Sequence, residues 1–398
     1  MNRVVITGIA PIVAMGQGQC FFDNLMAMKP VIEPTYEPPD RVPNTSKWFV
    51  PYPEVHTSAY ERRLRPMSIL APQNAKTAAT AALMAVDDAG LEKLDPETAV
   101  FFGVSSMNAA DIVCAFNAVR TCKRMHPATN PKSMANAVSA WISILFGIHG
   151  RSHVISTACA SGTDAIGMAF EHICLGKSKM AICGAADYMD CEDNLFLRSF
   201  DVLSALTRST DGLPRPFSEE RSGFLFSKGG ACALILEEYE SAVARGANIY
   251  AEITDYRACC DAFHIVKMPD NPEQVITMFK EIAKDKTVDY YNAHGTATAV
   301  NDQMEATALK AAFGEHLGDI LINVTKSMTG HAIGTSGAVE AAVTAYSIKN
   351  GIVHGNIIGT PFEGLNIPTQ TIRSDIRCGI TASFGFGGHN SALMLEKI

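Results

Sequence analysis

The sequence predicts an α/β protein built from two halves of similar layout. Short apolar strands alternate with helices through about the first 240 residues, a pattern typical of parallel βαβ units. The same alternation starts again near residue 249. A chain of 398 residues also exceeds the length that one hydrophobic core usually accommodates. These three observations together indicate an internal duplication.

The first half begins with a buried strand at 3–9, followed by a proline-rich surface segment at 30–53. An alanine-rich helix spans 71–89, and Gly90 is well placed to end it. The remaining predicted elements are a strand at 98–104, a helix at 133–146 closed by Gly147, a strand that ends near Ile155, a helix at 163–175, a strand at 180–183, a loop at 208–223 and a strand at 229–237.

The second half repeats the alternation of strands and helices, and it closes on two strands. The predicted elements are a strand at 249–256, a helix at 274–282, a strand at 288–292, a helix at 305–313, a strand at 320–324, a helix at 337–350 and strands at 379–383 and 391–395. The sequence similarity between the two halves is too faint to establish the duplication by itself.

Composition excludes several classes of function. Hydrophobic residues make up 47% of the chain, charged residues 19%, and the net charge is −8, which argues against nucleic acid as a general partner. We expect no signal peptide and no membrane-spanning segment. Eleven cysteines without C-x-x-C pairs argue against disulfides and zinc, so we expect no metal and a cytoplasmic location.

A cysteine lies where a strand gives way to a helix. Cys159 sits among small residues just after the β-branched run that begins at Val154. The free N–H groups of a helix N-terminus favour an anion, so such a place can lower the pKa of a thiol and make it a nucleophile. The alternative is an ordinary core cysteine, because free cysteines are usually small buried hydrophobes.

Three further motifs lie at strand ends in the second half. His294 is followed by glycine and two threonines, which suits a proton carrier or a hydrogen-bond donor, or a plain loop histidine. Lys326 and His331 are five residues apart before a helix of small residues, although Lys326 also suits a solvated surface. The glycine-rich turn at 383–388 lacks the Lys-Ser/Thr pair of a nucleotide loop, so an aromatic gate with backbone donors is favoured.

Taken together, these four motifs resemble those of the β-ketoacyl-acyl carrier protein synthases of the thiolase superfamily, above all the elongating type II enzymes. The matching segments are TACAS at 157–161, NAHGTAT at 292–298, TKSMTGH at 325–331 and SFGFGG at 383–388. The resemblance implies a thiolase-like α/β fold of two duplicated βαβ-rich halves in five α-β-α-β-α layers, with a dimer interface. The halves are expected at 1–248, which carries the cysteine, and 249–398, which carries the His/Lys/His set and the Gly-Phe loop.

The resemblance also implies a reaction, the decarboxylative Claisen condensation of malonyl-acyl carrier protein with an acyl chain bound to cysteine, in type II fatty acid or polyketide synthesis, polyenes included. Cys159 resembles the nucleophile, and His294 and His331 the pair that stabilises the enolate. Lys326 resembles the lysine that orients the second histidine. The resemblance further implies that the backbone N–H groups of Cys159 and Phe384 form the oxyanion hole and that Phe384 also gates the acyl pocket. Thr296 and Thr298 are the implied contacts of the phosphopantetheine arm. Asp302 and Glu340 are the implied carboxylates of the structural network around the lysine.

Other expectations concern substrates and partners. No cofactor is expected, since substrates arrive on the phosphopantetheine of an acyl carrier protein, and the expected partner subunit is an identical chain or a homologous chain-length factor. Asn301 and His389 depart from the usual glycine and threonine of the family. The remaining candidates are Met107, Ile112 and Phe200 for the acyl pocket and Arg62, Arg63, Arg65, Lys123 and Arg124 for carrier docking.

Two alternative functions remain open at this point. The first is a subunit of a ketosynthase/chain-length-factor heterodimer with little activity alone, or a non-catalytic chain-length factor, which shares the fold but typically lacks the nucleophile. Retention of Cys159, both histidines and Lys326 argues against the non-catalytic form. The second is a CoA-dependent thiolase or an initiating synthase, which usually pairs the cysteine with a different histidine or asparagine set.

Overall fold

The computed structural model describes residues 1–35, 42–106 and 108–398. Most strands belong to a single large sheet, and the short ones form small ribbons at its margins. The strands of the described residues are β1 (Val4–Val13), β2 (Gly16–Gln17), β3 (Glu33–Pro34), β4 (Trp48–Phe49), β5 (Ala99–Gly103), β6 (Ser152–Ile155), β7 (Met180–Tyr188), β8 (Gly229–Glu238), β9 (Ala251–Cys260), β10 (Tyr290–Asn292), β11 (Leu321–Asn323), β12 (Ile352–Val353), β13 (Ile372–Arg373), β14 (Cys378–Gly385) and β15 (His389–Glu396).

The helices range from single turns to more than four turns. In the same described ranges they are α1 (Gln19–Met26), α2 (Glu61–Leu64), α3 (Met67–Leu70), α4 (Gln73–Asp88), α5 (Ala109–Arg120), α6 (Thr129–Ser133), α7 (Ala137–Phe146), α8 (Ser161–Cys174), α9 (Leu195–Asp201), α10 (Tyr239–Ala244), α11 (Glu273–Ile282), α12 (Ala299–Phe313), α13 (Lys326–Thr329) and α14 (Gly334–Asn350). Short 3₁₀ turns accompany them, and the one at Ala158–Ala160 matters for function.

Both halves build the same five-stranded arrangement. In the first half, β5 pairs in parallel with β6 and β7, while β7, β8 and β1 continue as antiparallel neighbours. In the second half, β10 pairs in parallel with β11 and β14, and β14, β15 and β9 continue antiparallel. Because strand order and direction match one for one, the structure bears out the duplication that the alternating pattern suggests.

The two five-stranded units meet through a short antiparallel ladder between β1 and β9, in which Val4 lies opposite Ile253. This pairing makes one continuous sheet of the two units. Helices α8 and α14 contact each other and strands of both halves. They form the central layer, while α4 and α7 cover the first half from outside and α11 and α12 cover the second. The expected five layers follow from this arrangement.

Several helix ends follow from local sequence, and others do not. Gly90 and Gly147 adopt positive φ angles of 66° and 62° just after α4 and α7, as expected of residues that stop a helix. Helix α12 starts at Ala299 rather than 305 because Thr298 caps it, its side chain accepting the N–H of Asn301. The first turn of α12 combines the exposed apolar residues Ala299 and Val300 with the buried polar residues Asn301 and Asp302, so apolar periodicity could not reveal it.

Two further elements differ from the expectation. Strand β7 continues to Tyr188 instead of ending at 183, because β8 pairs with it along its full length. Helix α5 was not anticipated at all, since its apolar residues face outward as well as inward.

Among the described residues, none of the helices combines the length and apolar character that crossing a membrane requires.

Candidate active site

Cys159 lies in a tight turn between the end of β6 and the start of α8. Ala158 takes a φ of 52°, which folds the backbone back before the helix begins. Ser161 fixes the turn, since its Oγ accepts the N–H of Thr157 at 2.9 Å and donates to the carbonyl of Ala158 at 2.6 Å. The end of β14 packs closely on it, because a Cβ at Gly385 would lie 3.2 Å from the Cys159 nitrogen. The predicted strand-to-helix junction is therefore present.

The thiol of Cys159 is neutral at pH 7 in this environment. The residue is only 7% exposed, and burial raises the pKa of the thiol to about 11. The charge of Lys326 and the backbone N–H groups of Phe386 and of Cys159 itself lower this pKa but do not outweigh burial. The backbone N–H groups lower the pKa as expected, but burial leaves it above its usual value, so the nucleophile needs a proton acceptor.

His331 supplies an imidazole directly beside the thiol. Its Nε2 lies 3.3 Å from Cys159 Sγ, and its Nδ1 lies 3.1 Å from the Oγ of Ser336. That Oγ also accepts the backbone N–H of Ala332 at 2.9 Å. The ring is packed edge-on against Phe224. Burial, together with Lys326, holds the pKa of His331 well below its usual range, so the imidazole is neutral.

His294 faces His331 across the same cavity. The ring centroids are 5.3 Å apart and the planes are nearly perpendicular. Its Nδ1 lies 3.3 Å from the Nζ of Lys326. Because an ammonium group can only donate, Nδ1 accepts and the proton of the neutral ring sits on Nε2. Burial and the charge of Lys326 hold the pKa of His294 well below its usual range.

Lys326 is buried and paired. Its Nζ donates to Glu340 Oε1 at 2.5 Å, with the two side chains 2% and 1% exposed. Burial raises the pKa of Glu340 to about 7, and Lys326 opposes that rise. The expected role of Lys326 in orienting the second histidine is corrected here, because the ammonium contacts His294 and not His331. The ring nitrogen within hydrogen-bond distance of the ammonium is Nδ1 of His294, whereas the two ring nitrogens of His331 lie beside Ser336 and Cys159.

Glu305 holds the loop that carries His294, although the sequence-based predictions do not include it. Its Oε1 accepts the phenol O–H of Tyr291 at 2.7 Å and the backbone N–H of His294 at 2.8 Å. Its Oε2 accepts the N–H of Gly295 at 2.8 Å. The spacing between Asp302 and Glu305 places both on one face of α12, which was the signal available in the sequence.

Asp302 belongs to the same polar network but does not contact the lysine. Its carboxylate accepts the backbone N–H of Phe217 at 2.7 Å and that of Ala297 at 3.0 Å. Thr296 and Thr298 lie on the loop that Asp302 fixes, with their hydroxyls 3.1 Å apart. Both threonines line the cavity beside Cys159. Of the two carboxylates expected around the lysine, only Glu340 contacts it, whereas Asp302 holds the loop that carries the two threonines.

The aromatic residue whose backbone N–H interacts with the thiol is Phe386 rather than Phe384. Phe384 lies within β14 opposite Asn390, is 1% exposed, and packs its ring edge-on against His294. Phe386 lies in the turn between β14 and β15, and its backbone N–H points at Cys159. The prediction for Phe384 is corrected, because the strand continues one residue past Phe384 and only the turn can present a free N–H to the thiol.

The cavity around Cys159 is mostly apolar with a few polar groups. Of the three predicted pocket residues, Phe200 lines it, with its ring in contact with Phe386. Ile112 does not line it but lies on α5 with 39% of its surface exposed. Met107 lies outside the described residues. The full lining is Cys159, Phe200, Ala205, Phe224, Met268, His294, Thr296, Thr298, Asn301, His331, Ile333, Phe384 and Phe386.

The expected docking residues are all exposed on the surface: Arg62, Arg63, Arg65, Lys123 and Arg124. Arg62 and Arg65 line one open groove together with Lys76, which is not among the residues predicted from the sequence. The guanidinium of Arg63 instead packs over the ring of Phe146, 4.8 Å from its centroid. Lys123 and Arg124 follow α5 and do not line this groove. His389, which stands where the family usually has threonine, is exposed at the start of β15.

The cysteine and the two histidines could in principle hold a metal. Their ligand atoms lie within 4.8 Å of one another, and one sulfur with two imidazoles suits zinc. The ammonium of Lys326 lies 3.3 Å from one of these imidazoles, which opposes a divalent cation by charge repulsion. The arrangement therefore fits nucleophilic chemistry better than a metal centre.

Fold and site together define a thiolase-like enzyme with a Cys, His, His and Lys set. Family models named "Beta-ketoacyl synthase, N-terminal domain" and "Beta-ketoacyl synthase, C-terminal domain" match residues 1–242 and 250–359. The chain belongs to the β-ketoacyl synthase family. The expected family, fold class and acyltransferase class are thereby confirmed.

Individual relatives agree with this assignment. The 3-oxoacyl-[acyl-carrier-protein] synthase 2 of Vibrio harveyi is 34% identical over 337 residues, which is 80% of each chain. A ketosynthase solved with its type II PKS acyl-carrier protein has a TM-score of 0.89 at 28% identity, covering 100% of this chain and 99% of that one. The ishigamide ketosynthase/chain length factor has a TM-score of 0.86 at 26% identity, with coverage of 100% and 99%.

Proposed function

We propose that this protein is a β-ketoacyl-acyl carrier protein synthase that condenses an acyl chain on Cys159 with malonyl-acyl carrier protein. The observation that carries the proposal is the convergence of residues from both halves on one cavity. The imidazole of His331 lies 3.3 Å from the thiol, and His294, held by Lys326, faces it. The product belongs to fatty acid or polyketide synthesis, and both kinds of substrate arrive on phosphopantetheine.

The first half-reaction is transfer of the acyl chain to Cys159. Because the hydroxyl of Ser336 can donate or accept, it supports either tautomer of His331. His331 can therefore take the thiol proton through Nε2 as sulfur attacks the acyl thioester, and then pass that proton to the departing thiolate of the carrier arm. The backbone N–H groups of Cys159 and Phe386 lie where the oxyanion develops.

The second half-reaction forms the carbon–carbon bond. The malonyl thioester loses CO₂, and the electron pair of the broken bond becomes an enolate. Nε2–H groups of the neutral His294 and His331 donate to the enolate oxygen, so no strong base is needed. The enolate carbon attacks the Cys159 thioester carbonyl, and collapse of the tetrahedral intermediate releases the 3-oxoacyl product and the Cys159 thiolate, which regains a proton.

The experiment that tests this function is acyl transfer followed by intact-protein mass spectrometry. We expect Cys159→Ala to abolish the acyl adduct formed with acyl-acyl carrier protein, and the matched variant Cys20→Ala, at an exposed free cysteine, to retain it. Condensation with malonyl-acyl carrier protein should disappear in parallel. An adduct that persists on Cys159→Ala at the wild-type rate would overturn the proposal.

A carrier protein docks at the groove lined by Arg62, Arg65 and Lys76. Acyl carrier proteins are acidic, and positively charged side chains around an open groove attract such a partner. The distance over which this attraction acts shortens as the salt concentration rises. We expect Arg62→Glu with Arg65→Glu to weaken carrier binding several-fold at low salt and less at high salt. The exposed Arg373→Glu serves as control. Equal affinity in both variants would contradict this docking site.

A homologous chain is the second proposed partner, as an identical subunit or as a chain-length factor. Helix α5 exposes Ile112, Phe116 and Val119, which are 39%, 59% and 61% exposed, and such an apolar face suits a subunit interface. The ketosynthase/chain length factor relative supports the heterodimeric alternative. Co-expression with candidate partner chains, followed by size-exclusion chromatography with light scattering, distinguishes the two assemblies.

A further inference from the structure

Asn301 is buried beside the Cys159 cavity in a fixed orientation. It lies in the first turn of α12, is 2% exposed, and lines the cavity with Thr296 and Thr298. Its Nδ2 donates to Asp302 Oδ1 at 3.2 Å and to Glu305 Oε2 at 3.1 Å. Each of those oxygens also accepts a backbone N–H, so both act as acceptors, and the amide cannot be turned the other way.

The Oδ1 of Asn301 is left without a partner. Among residues 1–35, 42–106 and 108–398, no donor lies within hydrogen-bond distance of this buried oxygen. A buried acceptor that loses its bond to water and gains none in the protein is costly. Because the residue lines the cavity, a ligand that enters the cavity is the donor that could satisfy it.

The chemistry of the cavity limits what that donor is. Around the reacting atoms, the protein offers donors: Nε2–H of His294 and the backbone N–H groups of Cys159 and Phe386. A thioester carbonyl, an enolate and a carboxylate are all acceptors, so they pair with these donors and gain nothing from Oδ1. The part of a carrier-bound substrate that carries N–H groups is the pantetheine arm, which has two secondary amides.

We propose that Asn301 Oδ1 accepts a hydrogen bond from an amide N–H of the pantetheine arm and thereby helps to place the thioester at Cys159. The inference rests on the proposed function, because it requires a substrate on such an arm. The neighbouring hydroxyls of Thr296 and Thr298 share one O–H···O contact, which leaves one hydroxyl proton to meet a carbonyl of the arm. Asn301 supplies the complementary acceptor.

The test uses malonyl-pantetheine and two analogues in which one amide N–H at a time is replaced by an ester oxygen. For the wild-type chain with its Cys159 acylated, we expect kcat/KM to fall about three- to tenfold for one analogue, the range of a neutral hydrogen bond. In Asn301→Ala the same replacement should cost less than about twofold. Gln303→Ala, at an exposed position of the same helix, should respond to the analogue as the wild type does.

Each result decides the question. If neither ester analogue costs the wild type anything, the acceptor is satisfied by water and the proposal is overturned, whether or not Asn301→Ala folds. If the analogue costs wild type and Asn301→Ala equally, another residue reads the amide, and the proposal is also overturned. Failure of the proposed function is distinct, because the wild type would then neither carry an acyl group on Cys159 nor condense malonyl-pantetheine.

Discussion

Removing the ammonium of Lys326 tests the buried charge arrangement most directly. In Lys326→Met, Glu340 keeps its position at 1% exposure but loses the cation 2.5 Å away. Breaking a buried ion pair by removing one partner typically costs about 3–5 kcal/mol, because the remaining charge must be desolvated or neutralised. We expect a loss of that size in the free energy of unfolding at pH 8, measured by urea denaturation at fixed protein concentration.

The pH dependence of this loss follows from Glu340. Burial already raises the pKa of Glu340 to about 7, and removal of the lysine raises it further. A carboxyl whose pKa is higher in the folded than in the unfolded state contributes stability below its unfolded value, and this contribution is lost as the pH rises through the folded pKa. The variant should therefore be destabilised by about 1–2 kcal/mol more at pH 8 than at pH 6, relative to wild type.

Two comparisons make the result decisive. The double variant with Glu340→Gln lacks the carboxyl that faced the lysine, so most of the lost stability should return and the extra pH dependence should vanish. Lys349→Met removes an exposed lysine from the same helix as Glu340 and should change stability by no more than about 0.5 kcal/mol. An equal loss at both pH values, or no rescue by Glu340→Gln, would refute the assignment of Glu340 as the charge partner.

Three further predictions concern single sites. His331→Ala should slow decarboxylation of a malonyl thioester about 10²–10³-fold, the usual cost of one oxyanion donor; a rate like that of wild type, measured by CO₂ release, would contradict its role. Gly167→Ala should cost about 1–3 kcal/mol in urea unfolding, because its Cβ would lie 2.2 Å from the ring of Tyr256, whereas Gly318→Ala, in open space, should cost little. Since burial raises the pKa of Cys159 to about 11, its alkylation by iodoacetamide, followed by peptide mass spectrometry, should still accelerate up to pH 10, and a plateau near pH 8.5 would argue otherwise.

Much of the site was predictable because its residues lie at strand ends within short motifs. Cys159, His294, Lys326 and His331 each follow a strand whose apolar run is visible in the sequence, and the carboxyl ends of parallel strands meet at one edge of a sheet. The glycines that end α4 and α7 were predictable for a similar reason. Helix ends of this kind depend on a local backbone conformation that few residues other than glycine adopt easily.

Other features could not be predicted because they depend on contacts between distant segments. Whether Phe384 or Phe386 presents its N–H to the thiol depends on where β14 ends against β15. The partner of Lys326 depends on the relative positions of two loops and α14. The carboxylate of Glu305 and the unpartnered oxygen of Asn301 belong to polar residues of α12 that are buried only because other elements cover them.

The sequence by itself determined the α/β class, the duplicated order of strands and helices, the four motifs and the residues that carry them. Only the tertiary structure decided the protonation and the pairing within the site. It makes Cys159 a neutral thiol next to His331, assigns Lys326 to His294, and leaves one buried oxygen of Asn301 without a partner. The physical reason is that periodicity and turn chemistry are local, whereas burial and hydrogen-bond partners arise from segments that both halves bring together.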